Sequence, residues 1–257
     1  MKSFFAKTAL AAATVLCVGV AHAGVIDFES VDTTDAPFAP LINNGADVTQ
    51  GKYLVGFYDG TGSTDPTALV GALIGGSSGG TCDAASIICP GGNSSAYLAV
   101  TNTGVAYVQS TGDLTLTSFD AGFIAPGTGV TPGAFGLLAV QADRADGTAA
   151  IGAFVLNGPD SSGATSFSTF LASDAINGLF GGTTGSIDSG NFVDYQFYEF
   201  YCTSSSLGSC NIDTTNTGQF ALDNITFADA VPEPSSWALM AFGLAAVGAV
   251  ARRRRSV

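Results

Sequence analysis

An all-β body, an antiparallel β-sandwich of jelly-roll type, is the architecture this sequence predicts, and three observations predict it. Leu114 to Ile124 (LTLTSFDAGFI) alternates with period two, Leu114, Leu116 and Ser118 on one face and Thr115, Thr117 and Phe119 on the other. About ten short runs of strand-like composition are separated by Gly-, Asp- and Asn-rich turn signals. Outside the two chain ends no segment of helical period exceeds three turns, and no fixed-period repeat occurs.

The elements follow in order. Gly24 to Glu29 (GVIDFE) alternates as a first strand, Asp32 to Pro40 is turn-rich, and Gly51 to Tyr58 reads as a second strand. Asp59 to Gly92 is mostly Gly, Ser, Thr, Asp and Ala, the composition of a long loop. Its Gly71 to Gly80 portion lacks the order and the Lys of a phosphate-binding loop and reads as flexible surface. Ser94 to Val100 and Val105 to Gln109 are short strands ahead of the Leu114 to Ile124 run. Ala134 to Ala142 and Ala149 to Leu156 are apolar runs joined through Asp146-Gly147, whose glycine supplies the positive φ of a hairpin turn. Phe167 to Ala175 fits a strand or a short helix. Asp194 to Cys202 (DYQFYEFYC) carries aromatics on both parities, and Gln219 to Phe227 closes the body with a period-two pattern. The first and last strands are expected side by side.

Both ends carry targeting signals. Lys2 and Lys7, the apolar Ala9 to Val20 and the Ala21-His22-Ala23 cleavage site make residues 1–23 a secretory signal peptide. At the other end Pro232-Glu233-Pro234 precedes two serines, an apolar run from Trp237 to Ala251, and Arg252, Arg253, Arg254 and Arg255. The prolines lock φ and stop a preceding strand, so the tripeptide reads as an exposed, extended element. The run of fifteen residues is short beside the roughly 20 of a permanent span. The arginines pin its end on the cytoplasmic side as a stop to transfer. An ordinary membrane anchor accounts for the run and the charges but not for the Pro-Glu-Pro before them.

This three-part ending, residues 232–257, resembles the PEP-CTERM sorting signal of Gram-negative bacteria, and segments of the body (VIDFES, LTLTSFDAGFI, FALDNITF) are similar to stretches of other proteins that carry it. The resemblance implies Sec-type export, transient residence in the inner membrane through the C-terminal helix, and recognition and cleavage at Pro232-Glu233-Pro234 by an exosortase. It also implies a cell-surface or matrix destination associated with exopolysaccharide and biofilm, as a non-enzymatic structural or adhesive module.

The body between the signals, residues 24–231, holds twenty acidic residues against Lys52 and Arg144, a formal charge of −18. With so little to neutralise phosphates, no nucleic-acid partner is expected. Dispersed aspartates keep an exported protein soluble; a divalent cation is the other thing they could attract. The only histidine, His22, leaves with the signal peptide together with Cys17, which excludes Ser-His-Asp triads, Cys-His pairs and histidine metal sites from the body. The four remaining cysteines allow three pairings, and the short spacings favour Cys82–Cys89 and Cys202–Cys210 in an oxidising compartment.

Three constellations could carry chemistry. Asp27 and Glu29 in the first strand and Asp223 and Asn224 in the last offer oxygen ligands to Ca²⁺ if those strands are neighbours; otherwise Asp27 and Glu29 are the wet face of a strand. No other cofactor is implied. Asp194 and Glu199 are the carboxylates that a secreted carbohydrate-active hydrolase would use, the alternative to the non-enzymatic reading. Tyr195, Phe197, Tyr198, Phe200 and Tyr201 form either a sugar-stacking platform or, the favoured reading, a hydrophobic core.

Overall fold

The computed structural model describes residues 24–30, 41–75, 87–126, 133–180, 185–203, 207, 210–212, 219–229, 240 and 243–244. One of the two units of the chain, Ala23–Asp229, holds all the strands; the other consists of Met1–His22 and Ala230–Val257. The signal-peptide reading therefore lies outside the described residues, as do Pro232, Glu233, Pro234 and the four arginines.

Among the described residues fifteen strands form, and their pairing is antiparallel throughout, with an isolated parallel bridge at Gly91–Ser166. They are β1 (Gly24–Ile26), β2 (Leu41–Asn43), β3 (Asp47–Gln50), β4 (Tyr53–Asp59), β5 (Leu69–Ile74), β6 (Ile87–Ile88), β7 (Tyr97–Val100) and β8 (Gly104–Pro126). After them come β9 (Phe135–Asp143), β10 (Ala149–Leu156), β11 (Phe167–Leu171), β12 (Ile176–Asn177), β13 (Phe192–Cys202), β14 (Cys210–Ile212) and β15 (Gln219–Asp229). The segment Phe167 to Ala175 is a strand followed by the 3₁₀ turn Ala172–Asp174.

Strand β8 joins what the sequence reads as two strands. Its first part, Gly104 to Ser110, pairs with β4, and Ala106 to Gln109 pair with β13; its second part pairs with β11 and β15. One strand thus serves both halves of the sheet, whose order is β12-β10-β9-β13-β8-β15-β7-β5-β2. The inward positions are Leu114 and Leu116 but then Phe119, Ala121 and Phe123, a change of parity that overturns the simple alternation of LTLTSFDAGFI. Its cause is an extra residue in β8 itself, since Ser118 pairs with Thr226 but Leu116 already pairs with Phe227. Just beyond, β15 carries its own extra residue between Asp223 and Thr226, where Asn224 takes a φ of +50°.

The core is aromatic. Phe119 meets Phe154 edge-on at 5.0 Å, Phe170 at 5.5 Å and Phe197 at 5.7 Å, while Phe227 of β15 takes Tyr53 and Tyr195 at 5.4 Å each. Tyr195 is buried with its hydroxyl satisfied: it donates to the Ile187 carbonyl (2.8 Å) and accepts from the Leu116 amide (2.9 Å). The β9–β10 hairpin turns as its Asp-Gly step predicts, with Gly147 at φ +83° and Asp146 accepting from the Thr148 amide. Strand β1 pairs with β15 (Gly24–Phe227, Val25–Thr226, Ile26–Ile225), so first and last strands are neighbours. Cys202 and Cys210 are disulfide-bonded and tie β13 to β14; Cys89 is disulfide-bonded as well, and Cys82 lies outside the described residues.

Two expectations are corrected. The Asp59 to Gly92 loop contains β5, and Gly71 lies in that strand because its neighbour on β7 comes too close for a side chain. A Cβ there would sit 2.7 Å from the Ala99 carbonyl oxygen. The aromatic residues of β13 do not act as one cluster: Tyr195 and Phe197 are buried, whereas Tyr198 and Phe200 are half-buried on the opposite face.

Candidate functional site

The outer face of β4, β8, β13 and β9 carries an ordered set of polar and aromatic side chains. Register aligns Gly56, Tyr107, Gln196 and Gln141 in one row across the four strands. The adjacent row reads Leu54, Gln109, Asp194 and Asp143. Tyr58 and Tyr198, two residues further along β4 and β13, complete the face.

Gly56 shapes the site by lacking a side chain. A Cβ there would fall 2.0 Å from Cζ of Tyr107, so the ring lies over the glycine backbone, tilted against Tyr58 with centroids 6.1 Å apart. The Tyr58 hydroxyl donates to Oε1 of Gln196 (2.7 Å), whose Nε2 donates to Oδ2 of Asp143 (2.9 Å). Gln141 Nε2 donates to both Asp143 oxygens, at 2.9 and 3.1 Å. A cleft of about 250 Å³ opens here, bordered by Tyr58, Gln141, Gln196, Tyr198 and Gln219. A hollow of about 200 Å³ adjoins it, bordered by Tyr58, Tyr107, Gln109, Asp194 and Gln196.

Charge here is tuned by burial. Asp194 is held above the ordinary carboxylate value, first by burial and then by Asp143 on the paired strand. Tyr58 and Tyr198 are raised too, chiefly by burial and next by Asp194 and by Tyr58 respectively, so both hydroxyls stay protonated donors.

Asp194 and Glu199 do not share this face. β13 pairs with β9 without a break from Asp194 to Cys202, so residues five apart leave it on opposite sides. Glu199 is buried beside Gly136, and it borders the 250 Å³ cleft because pairing with β8 ends at Phe197–Ala106. Carboxylates working one glycosidic bond flank it within about 5–9.5 Å, an arrangement that opposite faces of one strand disfavour.

The carboxylates expected to meet at Ca²⁺ are used as hydrogen-bond acceptors. Asp27 accepts from Gln50 Nε2 (2.5 Å) and from the Glu29 amide (3.2 Å), and Glu29 accepts from the Ala96 amide (2.7 Å). Asp223, with no exposed surface, accepts from Asn93 Nδ2 (2.7 Å), Ser95 Oγ (2.6 Å) and the Asn224 amide (2.8 Å). Asn224 itself donates to Asp120 (2.8 Å). Among the described residues no three His, Cys, Asp or Glu side chains group as a metal site, so Asp27, Glu29 and Asp223 are not brought together as a ligand set. Instead the 93–96 segment holds the turn that follows β1, through Glu29, and β15, through Asp223.

These environments set a pH dependence. Asp223 is raised like Asp194, with burial the main cause, so across the window between the ordinary carboxylate value and the raised ones the folded state holds more protons than the unfolded. Their contribution is greatest below that window and falls as pH rises through it. Asp65, Asp146 and Asp160 are lowered by accepting from Thr67, Thr148 and Ser162, and lose their contribution only as pH falls below the ordinary value. Maximal stability is therefore expected in mild acid, near pH 4–5, where the ordinary carboxylate values of about 4 lie. Calorimetric scans from acid to neutral pH should show the melting temperature falling towards neutrality; a steady rise would contradict the assignment.

The sequence reading singled out Asp194 and Tyr198 but missed Tyr58, Tyr107, Gln141, Asp143 and Gln196. The signal for them is faint: glutamines at the outward parity of strands β8, β9 and β13, which converge only once the strand order is known.

Fold and site together define an all-antiparallel β-sheet protein with disulfide-bonded cysteines and a tyrosine- and glutamine-lined outer groove. Residues 230–255 match the PEP-CTERM protein-sorting motif, so the chain is an exported protein that an exosortase sorts. Among the described residues no helix is long and apolar enough to cross a membrane; most of Trp237 to Ala251 lies outside them. No curated protein matches the chain. Among solved structures it is similar to a DUF4465 family protein from Bacteroides caccae, with 13% identity, coverage of 80% of this chain and 98% of that one, and a TM-score of 0.48.

Proposed function

We propose that the mature body is a non-enzymatic cell-surface or matrix protein that holds exopolysaccharide in the outer groove. The observation that carries the reading is the four-strand row Gly56–Tyr107–Gln196–Gln141, flanked by Tyr58 and Tyr198. Tyrosine rings present apolar faces to the C–H side of a sugar, while amides and carboxylates take its hydroxyls, the mixture by which pockets orient polar ligands. The sorting motif supports the setting, since an exported chain meets extracellular polymer.

Co-sedimentation with the producing cells' own exopolysaccharide tests it. The wild-type protein should sediment with the polymer and release no reducing ends. Tyr198→Ala should weaken the association by roughly tenfold, the loss of one good ring contact. Gly56→Ala, which displaces the Tyr107 ring, should do the same. Association unchanged in both variants would overturn the reading, and polymer cleavage abolished by Glu199→Gln would replace it with a hydrolase.

A further inference from the structure

Resting on that reading, we infer that the groove selects uncharged polysaccharide and rejects polyuronates and other acidic polymers. Its second row places Asp143 and Asp194 side by side on paired strands, open to the hollow that Tyr107 and Gln109 border. A sugar hydroxyl donates to such carboxylates, whereas the carboxylate that every uronate residue also carries is an acceptor only and is repelled by them. Gln141 and Gln196, the neutral amides of this face, already donate to Asp143 rather than to a ligand carboxylate.

The body's two bases do not offer relief. The Lys52 ammonium lies 5.3 Å from the Tyr53 ring and the Arg144 guanidinium 4.6 Å from the Phe192 ring. Neither base borders the cleft or the hollow. Beyond contact range, a body of formal charge −18 repels an anionic polymer over a screening length of about 8–10 Å at moderate salt.

Affinity electrophoresis of the exported protein tests the selectivity, in gels containing hydroxyethylcellulose, dextran, mannan or alginate, at low and high salt. The inference predicts retardation by at least one neutral polymer, little changed by salt, and none by alginate. Asp143→Asn combined with Asp194→Asn should weaken the neutral interaction by about tenfold through loss of charged acceptors. A melting scan of the double variant, with a transition as cooperative as wild type, shows that the loss is not unfolding. Retardation by alginate, alone or with the neutral polymers, would overturn the selectivity while leaving a polysaccharide site. No retardation by any of these polymers would overturn this inference, and the proposed function would fall with it only if the protein also failed to sediment with the producing cells' own exopolysaccharide.

Discussion

Replacing Pro232, Glu233 and Pro234 by alanine should leave the protein in the membrane fraction with its C-terminus intact, and lower the amount outside that fraction by roughly a hundredfold or more. The two prolines fix φ and remove two backbone donors, and Glu233 is the only acid in residues 230–257. A peptidase that reads those groups loses shape and charge together when they go. Immunoblots of membrane, surface and medium fractions would check this, with Glu233→Gln separating the charge from the prolines. Unchanged distribution in the triple variant would mean that something other than the motif at 230–255 directs sorting.

Asp223→Ala is expected to cost the body about 3 kcal/mol or more, the largest single stability effect outside the aromatic core. Three donors converge on that buried carboxylate: Asn93 Nδ2, Ser95 Oγ and the Asn224 amide. Alanine removes the acceptor that all three share. Asp223→Asn keeps the volume and one acceptor, so it should cost less. Because burial already favours the protonated acid, that variant should flatten the decline of stability between mild acid and neutral pH. Urea titration of both variants at neutral pH measures the difference. A midpoint for Asp223→Ala equal to wild type would remove Asp223 as the link between β15 and the 93–96 segment.

What could be read from the sequence was whatever local pattern dictates. Apolar runs located β9 and β10, an aromatic-rich run located β13 and period-two alternation located β15, while the Asp146-Gly147 step fixed the β9–β10 hairpin, because composition, side-chain parity and turn φ are properties of a few adjacent residues. Strand β5 (LVGALI) stayed hidden because the Gly-, Ser- and Thr-rich residues on either side give the whole 59–92 stretch a loop composition, although Gly71 is required by the backbone of β7. Phe119 falls on the face opposite to the one its alternation predicts because β8 carries an extra residue between Leu116 and Ser118, a bulge visible only in its register against β15, a hundred residues away. The site failed for the same reason. Asp194 and Glu199 look like a pair in one dimension, while the residue that truly faces Asp194 is Asp143, brought there by the β13–β9 register. Tyr107 and Gly56 make sense only together. Likewise Asp27 and Glu29 lie just past β1, beside the β15 that holds Asp223, yet amides and hydroxyls meet their oxygens.

The most direct measurement is the intact mass of the mature protein recovered separately from membrane, cell-surface and medium fractions. The account predicts a chain that begins near Gly24, ends near Pro234 and is found outside the membrane fraction, with no free thiols. A chain that keeps Arg252 to Arg255 and remains with the membrane would contradict it.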